Sequence, residues 1–277
     1  MFLQVELLLV SDLVEYSISF TVDRKVPLTA FSGVFVYRLF LTLVSQVDSL
    51  LAEDLHGSRK FKPISCHPVY FDSRIIKRGT LFPNRVYSTK VLILSEDVNL
   101  KFARALLDTS FENIVLPACV VKVEKIGLRI SSFRQILSEA EKTVFTRGFT
   151  IVFKTPCQLG KLTYRKTPIF RLFPDPYYVL RNLYNYWNAF TETPISEDFL
   201  KWVDENIHEE KFSLVTEPVY LGEGRVTVGF TGHCAYRVRD SGREYLKALA
   251  ALLFFGEWVG VGKHRSIGMG RVECKLS

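Results

Sequence analysis

Seven residues close to the end of the chain have the types and the spacing of an anion-binding loop. The segment reads GEWVGVGKHRSIGMGRVECKLS, and it contains Gly260, Gly262, Gly268 and Gly270 together with the bases Lys263, His264 and Arg265. Glycine adopts positive φ angles without strain, so several backbone N–H groups can point at one anion while nearby cations add charge. The alternative is a long turn whose glycines simply accept positive φ. The residues by themselves leave both interpretations open.

Two well-known phosphate-binding motifs do not fit this segment. A P-loop needs G-x-x-x-x-G-K-[ST] between a strand and a helix. Here the first glycine is missing, and Gly262 and Lys263 are followed by His264. A dinucleotide-binding fingerprint also lies after a strand and before a helix. The order predicted for this segment is helix, loop and strand, which excludes both classes of nucleotide site.

The composition favours a polyanionic partner without requiring one. The 277 residues carry a formal net charge of +7, and 48% of them are hydrophobic, which is enough for packed cores in two domains. Five cysteines are scattered with no C-x-x-C pair, which argues against a zinc ribbon or a disulfide framework. The apolar start MFLQVELLLV has no basic leader and reads as a strand, so we expect a soluble, cytoplasmic protein that makes no membrane contact.

Hydrophobic periodicity predicts the same succession of elements twice. In the first half, strand segments are followed by a helix over residues 31–55, two strands, a helix over residues 99–107 and a last strand. The second half has a strand, a helical region broken at TETP, a β-hairpin across GEG, a helix over residues 241–258 and a final strand. Two copies of β-α-β-β-α-β indicate an α+β protein of two tandem ferredoxin-like domains, an order also found in RNA-recognition modules. We place the domains at residues 1–135 and 145–277, the second containing the glycine-rich segment.

Several segments of the chain resemble one known family. GVGKHRSIGMGRVE closely resembles the C-terminal glycine-rich motif of the Cas6 family of CRISPR-associated endoribonucleases. GFTGHCAYRV, FKTPCQLG, PDPYYVLRNLYNYWN and LHGSRKFKPIS are similar to the same family, so the resemblance spans almost the whole chain. The glycine motif is shared with other CRISPR repeat-associated (RAMP) proteins, and it marks the superfamily better than the activity. The resemblance implies tandem ferredoxin-like folds, as the periodicity does.

The resemblance implies an endoribonuclease that cuts CRISPR precursor transcripts within each repeat and uses neither a metal nor a cofactor. In that chemistry the 2′-OH of the RNA attacks the adjacent phosphate, leaving a 2′,3′-cyclic phosphate and a 5′-OH. The reaction needs a base, an acid and positive charge near the phosphorane. A non-catalytic subunit that binds crRNA in a CRISPR interference complex stays open as an alternative, and a general basic RNA-binding module is a third.

The resemblance also implies candidate catalytic residues. His56 stands where many family members carry a catalytic histidine, whose pKa suits acid–base chemistry near neutrality, and Lys62 and Tyr37 match the family's lysine and tyrosine. On an unbroken helix Tyr37 and His56 would be about 28 Å apart, so the three converge only if the helix breaks, which we expect near residues 45–49. Without the resemblance, His56 would be interpreted as a solvated residue at a helix C-terminus. Of the other histidines, His67 is a stand-in for catalysis that we expect to pack beside Pro68, and His264 is expected to contact RNA. His208 is expected to be solvated and His233 to be structural.

Basic residues supply the predicted RNA contacts, because lysine and arginine contacts to phosphate give affinity that is independent of sequence. The RNA-binding candidates are Arg59, Lys60, Arg165 and Lys166, with Gly260, Gly262, Lys263, His264, Arg265, Ser266, Gly268 and Gly270 of the glycine-rich segment. Any single basic pair is more often a solvated surface patch. CRISPR repeat RNA is the predicted partner, and other Cas proteins and a second copy of the chain stay open as further partners.

Overall fold

The chain folds into two units. A computed structural model describes residues 12–57, 61–108, 113–143, 148–162, 168–239 and 242–276. The first unit holds the described residues up to Ser132, together with Tyr220–Val226 and Ser266–Gly268. The second holds the described residues of Phe133–Val219, Thr227–Arg265 and those from Met269 onward. Within these described ranges, no helix is long and apolar enough to cross a membrane.

The first unit contains an antiparallel sheet and a short β-ribbon. Its strands are β1 (Leu13–Val22), β2 (Val26–Leu28), β3 (Ile64–Cys66), β4 (Val69–Phe71), β5 (Arg74–Ile76), β6 (Gly79–Leu81), β7 (Tyr87–Ile93), β8 (Ile114–Leu116) and β9 (Cys119–Ser131). They run in the order β5-β4-β7-β1-β9-β8, with β3 also paired to β7, while β2 and β6 form a separate ribbon. β1 therefore lies between β7 and β9.

Helices cover one face of this sheet. They are α1 (Ser32–Val47), α2 (Ser49–His56) and α3 (Glu96–Asp108). α1 buries Val36, Leu39, Phe40 and Leu43, whose helical spacing produces a single apolar stripe. The alternate residues of β1, from Val14 to Phe20, are buried in the same core. This core fixes α1 and α2 over the sheet.

The second unit repeats this arrangement. Its strands are β10 (Gly148–Cys157), β11 (Leu159–Leu162), β12 (Pro168–Arg171), β13 (Ile207–Gly222), β14 (Arg225–Val238) and β15 (Val272–Leu276). Its helices are α4 (Phe133–Lys142), α5 (Pro176–Phe190), α6 (Asp198–Asn206) and α7 (Arg243–Val259). The main sheet has the order β13-β14-β10-β15, and β11 and β12 form a ribbon of their own.

The two sheets share one topology. In each, the first strand of the β-α-β-β-α-β succession lies between the third strand and the last one. The predicted α+β class with tandem ferredoxin-like folds is confirmed. The sequence does not predict helix α4, because its few apolar residues are scattered among charged ones. Their helical spacing nevertheless buries Phe133, Ile136 and Ala140, and the Phe133 ring packs edge-on against Trp187 at a centroid distance of 4.8 Å.

Candidate active site

Asp48 divides the helical segment that leads to His56. Its backbone is extended, with φ −149° and ψ 97°, so α1 ends at Val47 and α2 begins at Ser49. The Asp48 carboxylate accepts the Leu51 N–H at 2.9 Å and pairs with Lys101 at 2.8 Å. An aspartate at this position caps a helix by satisfying a donor of its first turn. The predicted helix over residues 31–55 is therefore two helices, and the expected break near residues 45–49 is confirmed.

The break brings Tyr37, His56 and Lys62 together in the first unit. The rings of Tyr37 and His56 lie nearly parallel, with centroids 6.4 Å apart and planes inclined by 20°. The Tyr37 hydroxyl donates to the Leu55 carbonyl at 2.7 Å. Lys62 Nζ donates to the Tyr37 hydroxyl at 3.0 Å and to the Leu55 carbonyl at 2.7 Å. Three residues that are distant in sequence thus meet at the C-terminal end of α2.

Tyr37 and Lys62 act together as a clamp on the last turn of α2. Lys62 Nζ also donates to the His56 carbonyl at 3.2 Å, so the ammonium group has three acceptors for its three protons. A cation at this end of a helix complements the partial negative charge of the final carbonyls. Tyr37 is only 8% exposed, and burial raises its pKa, which keeps the hydroxyl protonated and able to donate. The clamp holds the His56 backbone and leaves its side chain exposed.

His67 has a structural environment. Its Nδ1 lies 3.0 Å from the Tyr70 hydroxyl, and its Nε2 lies 3.6 Å from the carboxylate of Glu15. Glu15 is 2% exposed and also pairs with Lys90 at 2.8 Å. The sequence predicts packing of His67 beside Pro68 but gives no indication of Glu15, which lies far away along the chain. His56 is therefore the exposed histidine at the helix end, whereas His67 is buried.

Asp48 offers a test of how far this arrangement depends on the helix break. Asp48→Ala removes the cap of α2 and the pair with Lys101, and we expect the thermal midpoint at pH 7 to fall by about 2–4 °C. Asp48→Asn keeps a side-chain oxygen that can cap α2, so its thermal midpoint should lie between those of the wild type and Asp48→Ala.

The contribution of Asp48 to stability also depends on pH. The hydrogen bond from Lys101, and after it that from the Leu51 N–H, lowers the pKa of Asp48. Because this pKa is lower in the folded state than in the unfolded chain, the stability that Asp48 contributes is fully present above the ordinary aspartate pKa. It is lost as the pH falls through the pKa of Asp48 in the folded state. Circular dichroism melts at pH 7 and pH 3 should thus show a larger wild-type advantage at pH 7 than at pH 3.

The amides of the glycine-rich segment bind the protein itself. Gly262 N–H donates to Asn182 Oδ1 at 2.8 Å, and Gly270 N–H donates to the Pro156 carbonyl at 2.9 Å. Gly260 N–H donates to the Gly256 carbonyl at 2.7 Å, as expected at the end of α7. Each of these three amides already has an internal acceptor in this structure, and their contact with a phosphate stays a prediction.

Close backbone contacts explain why these positions are glycine. A Cβ at Gly270 would lie 1.8 Å from the Val261 carbonyl oxygen, and one at Gly262 would lie 2.6 Å from that of Gln158. Gly268, in the first unit, is buried, and a Cβ there would lie 2.8 Å from Pro68 N. All three glycines have φ angles between 69° and 90°. The interpretation as a turn whose glycines accept positive φ describes this part of the segment.

Arg265 is likewise an internal residue. Its guanidinium lies 3.7 Å from the ring centroid of Tyr186 and donates to Asn182 Oδ1 at 2.9 Å. The residue is 9% exposed, and desolvation lowers its pKa, partly opposed by Tyr186 and Cys157. The Arg265 guanidinium therefore stacks inside the second unit, and its contact with RNA stays a prediction.

Asn182 and Gln158, which are not among the predicted site residues, support the segment. Asn182 accepts from both Gly262 and Arg265. The Gln158 carbonyl accepts the Lys263 N–H at 2.9 Å, while its side chain donates to Thr227 at 2.7 Å. The family resemblance could have indicated both residues, because Gln158 lies in FKTPCQLG and Asn182 lies in PDPYYVLRNLYNYWN.

Lys263, His264 and Ser266 remain accessible on the segment. His264 is exposed with φ 61°, and Lys263 and Ser266 are partly exposed. Lys263 Nζ lies 4.6 Å from the ring centroid of Phe170, which is 54% exposed on β12. Gly160, opposite Phe170 in the β11–β12 ribbon, leaves room for the Lys263 side chain to cross. The remaining RNA-binding candidates lie outside the described residues: Arg59, Lys60, Arg165 and Lys166.

Comparisons with known proteins point to one family. The family model described as "CRISPR-associated endoribonuclease Cas6" matches residues 151–272. A Mycobacterium tuberculosis protein named CRISPR-associated endoribonuclease Cas6 is 29% identical over 133 residues, covering 47% of this chain and 40% of that protein. A protein of the same name from Streptococcus thermophilus is 27% identical over 159 residues, covering 56% of this chain and 61% of that protein. The chain thus matches about half the length of these curated relatives.

Solved structures match over most of the chain. The Cas6 (TTHB231) product complex has a TM-score of 0.77 and 21% identity, covering 95% of this chain and 98% of that one. Thermus thermophilus Cas6 (TTHB231) has a TM-score of 0.69 and 19% identity over the same shares of the two chains. The family model over residues 151–272 and the curated relatives support a Cas6 family member, and the solved structures show the same fold. The Cas6 family match contains Gln158, Asn182 and the glycine-rich segment up to Val272. Tyr37, His56 and Lys62 precede it, so their roles rest on the geometry of the first unit.

Proposed function

We propose that the chain is an endoribonuclease that cuts CRISPR precursor transcripts within their repeats without a metal ion. The observation that carries the proposal is the clamp of Tyr37 and Lys62, which fixes the backbone of α2 at His56 and leaves the imidazole exposed. The names of the relatives support it, since both bacterial proteins are called endoribonucleases. Two of the matched Cas6 structures are named a product complex and a substrate mimic complex.

The proposed reaction is an attack by a neighbouring group of the RNA. The 2′-oxygen forms a bond to the adjacent phosphorus and loses its proton, the P–O5′ bond breaks, and the 5′-oxygen takes up a proton. The products are a 2′,3′-cyclic phosphate and a 5′-OH, so no water is consumed. His56 exchanges a proton with one of the two reacting oxygens. Lys62 and Tyr37 hold the helix end from which it works, and the Lys62 charge favours the anionic phosphorane.

We propose that the RNA backbone contacts accessible basic side chains rather than the glycine amides. Lys263 and His264 present positive charge or donors at the surface of the second unit. Ser266, in the first unit, has a partly exposed hydroxyl side chain that stays a predicted RNA contact. The exposed ring of Phe170 beside Lys263 offers a surface on which a base can stack. The predicted contacts of Arg59, Lys60, Arg165 and Lys166 remain part of the proposal.

Cleavage in the presence of EDTA tests the function. Purified protein is incubated with RNA of the host's repeat in excess EDTA, and we expect one discrete cut. The 3′ end of the upstream product should resist phosphatase until mild acid opens the cyclic phosphate. Tight binding without a cut would support the non-catalytic subunit instead. A cut that EDTA abolishes and Mg²⁺ restores would contradict metal independence.

A further inference from the structure

An exposed phenylalanine in the first unit lies beside two cations. Phe82, directly after β6, is 37% exposed. Lys25 Nζ lies 5.7 Å from its ring centroid, and the guanidinium carbon of Arg85 lies 5.0 Å from the same centroid. Arg85 also lies 5.5 Å from the ring centroid of Phe71. We call Lys25, Phe71, Phe82 and Arg85 the Phe82 cluster.

The surrounding strands hold this cluster in place. The register of the β2–β6 ribbon places Lys25 across from Phe82. The Phe82 N–H donates to the hydroxyl of Tyr87 at 2.8 Å, and Asn84, with φ 60°, makes the turn between them. Tyr87 is 2% exposed, and its ring also packs on Phe71 at a centroid distance of 5.6 Å. The turn that presents the Phe82 ring is therefore anchored in the core.

The charge around the cluster is positive. Lys25 and Arg85 are exposed, and among the described residues neither forms an ion pair with a carboxylate. Residues 71–86 also contain Arg74, Lys77 and Arg78, with Asp72 as their one acidic residue. The centre of a protein-binding patch is usually depleted of charged residues, lysine among them. An exposed ring with unneutralised cations instead fits a ligand that has both flat bases and phosphates.

We propose that the Phe82 cluster binds a single-stranded stretch of the RNA substrate, stacking one base on Phe82 and holding neighbouring phosphates with Lys25 and Arg85. The ligand class rests on the proposed function. Single-stranded RNA is specified because bases in a duplex cannot reach an aromatic ring, whereas splayed bases stack on one regardless of sequence.

The cluster would contact nucleotides away from the cleaved phosphate. Arg85 lies just before β7, at the end of the strand that begins with Tyr87. Lys62 lies just before β3, and Ile64 of β3 pairs with Ile93 at the other end of β7. A strand of this length spans about 20 Å. The Phe82 cluster and the clamp at His56 thus lie near opposite ends of one strand of the same unit. The cluster is expected to affect affinity, not the position of the cut.

Binding of an unstructured 20-nucleotide RNA that contains 2-aminopurine tests the proposal. We expect Phe82→Ala and Phe82→Leu to weaken binding by roughly 5- to 100-fold, and Phe82→Trp to preserve it, because the ring supplies the stacking. The quenching of 2-aminopurine that stacking causes should be lost with the affinity.

The salt dependence of binding tests the two cations. The double variant Lys25→Gln/Arg85→Gln should reduce the slope of log affinity against log salt by about 1.4, at 0.7 per phosphate contact, whereas Phe82→Ala should leave the slope unchanged. Val86→Thr, at an exposed residue next to Arg85, is the matched control.

The outcomes separate this proposal from the proposed function. If Phe82→Leu binds the 20-nucleotide RNA as well as wild type, or if Val86→Thr loses as much affinity, the cluster does not stack RNA and the proposal is overturned. Cleavage of repeat RNA in EDTA is measured on the same variants. A discrete cut by wild type with no effect of Phe82→Leu on binding rejects the cluster alone. Loss of binding in Phe82→Leu without any cut by wild type rejects the endoribonuclease alone.

Discussion

His56→Ala is expected to slow the cleavage of repeat RNA by about 10²-fold or more, with RNA affinity nearly unchanged. General acid–base groups typically contribute rate factors of this size. The fold should tolerate the change, because the His56 side chain is exposed and the clamp contacts its backbone. Lys62 donates to the His56 carbonyl, and Tyr37 donates to that of Leu55, and alanine keeps both acceptors. Single-turnover cleavage and fluorescence anisotropy, measured on the same preparation, separate the rate from the affinity.

The matched control for this variant is His208→Ala. His208 is a half-buried histidine on β13 of the second unit, and its removal should leave the cleavage rate unchanged. Equal rates for wild type and His56→Ala would remove His56 from the mechanism. Equal losses of rate and affinity in His56→Ala would assign the residue to binding instead of proton transfer.

The sequence predicts the fold well because periodicity reports which face of each element is buried. The duplicated β-α-β-β-α-β order follows from alternating strands and from helices such as α1, whose apolar residues recur at helical spacing. Helix α4 is missed since only Phe133, Ile136 and Ala140 carry its pattern. Periodicity also cannot locate Asp48 as a helix break, because a single capping residue changes the chain direction without interrupting the apolar pattern on either side.

The candidate site is predicted only in part, and the contacts that the sequence does not reveal have one physical cause. Glycines beside cations have the same local sequence whether their amides face an anion or another part of the chain. The acceptors of Gly262 and Gly270 are Asn182 and Pro156, about 80 and 114 residues away in sequence, so only the folded structure identifies them. The same holds for Arg265, whose partner Tyr186 lies on α5. Motif spacing therefore locates the segment, but packing determines which of its residues remain accessible.

The buried glycines lead to the second large effect, which concerns stability. Gly270→Ala is expected to lower the free energy of unfolding of the second unit by about 3–5 kcal/mol, through strain at positive φ together with overpacking. The new Cβ would lie 1.8 Å from the Val261 carbonyl oxygen. Relief of that clash requires movement of the backbone, because the Val261 N–H donates to the Gly270 carbonyl at 2.7 Å and the Gly270 N–H donates to Pro156. Urea unfolding followed by tryptophan fluorescence reports on this unit, since Trp187, Trp202 and Trp258 all belong to it.

Gly224→Ala estimates the part of this loss that positive φ causes. Gly224 belongs to the first unit, so the unfolding of both variants is also followed by far-ultraviolet circular dichroism, which reports on the two units together. Gly224 has φ 72°, close to the 69° of Gly270, but a Cβ there would meet no atom within 4 Å. Its substitution should therefore lower the free energy of unfolding only through the strain of a positive φ angle, by about 1–2 kcal/mol. The difference between the two variants measures the packing that requires glycine at position 270. If both variants lose the same stability, the close approach to Val261 is not a constraint, and the amide of Gly270 would again be a candidate for binding phosphate.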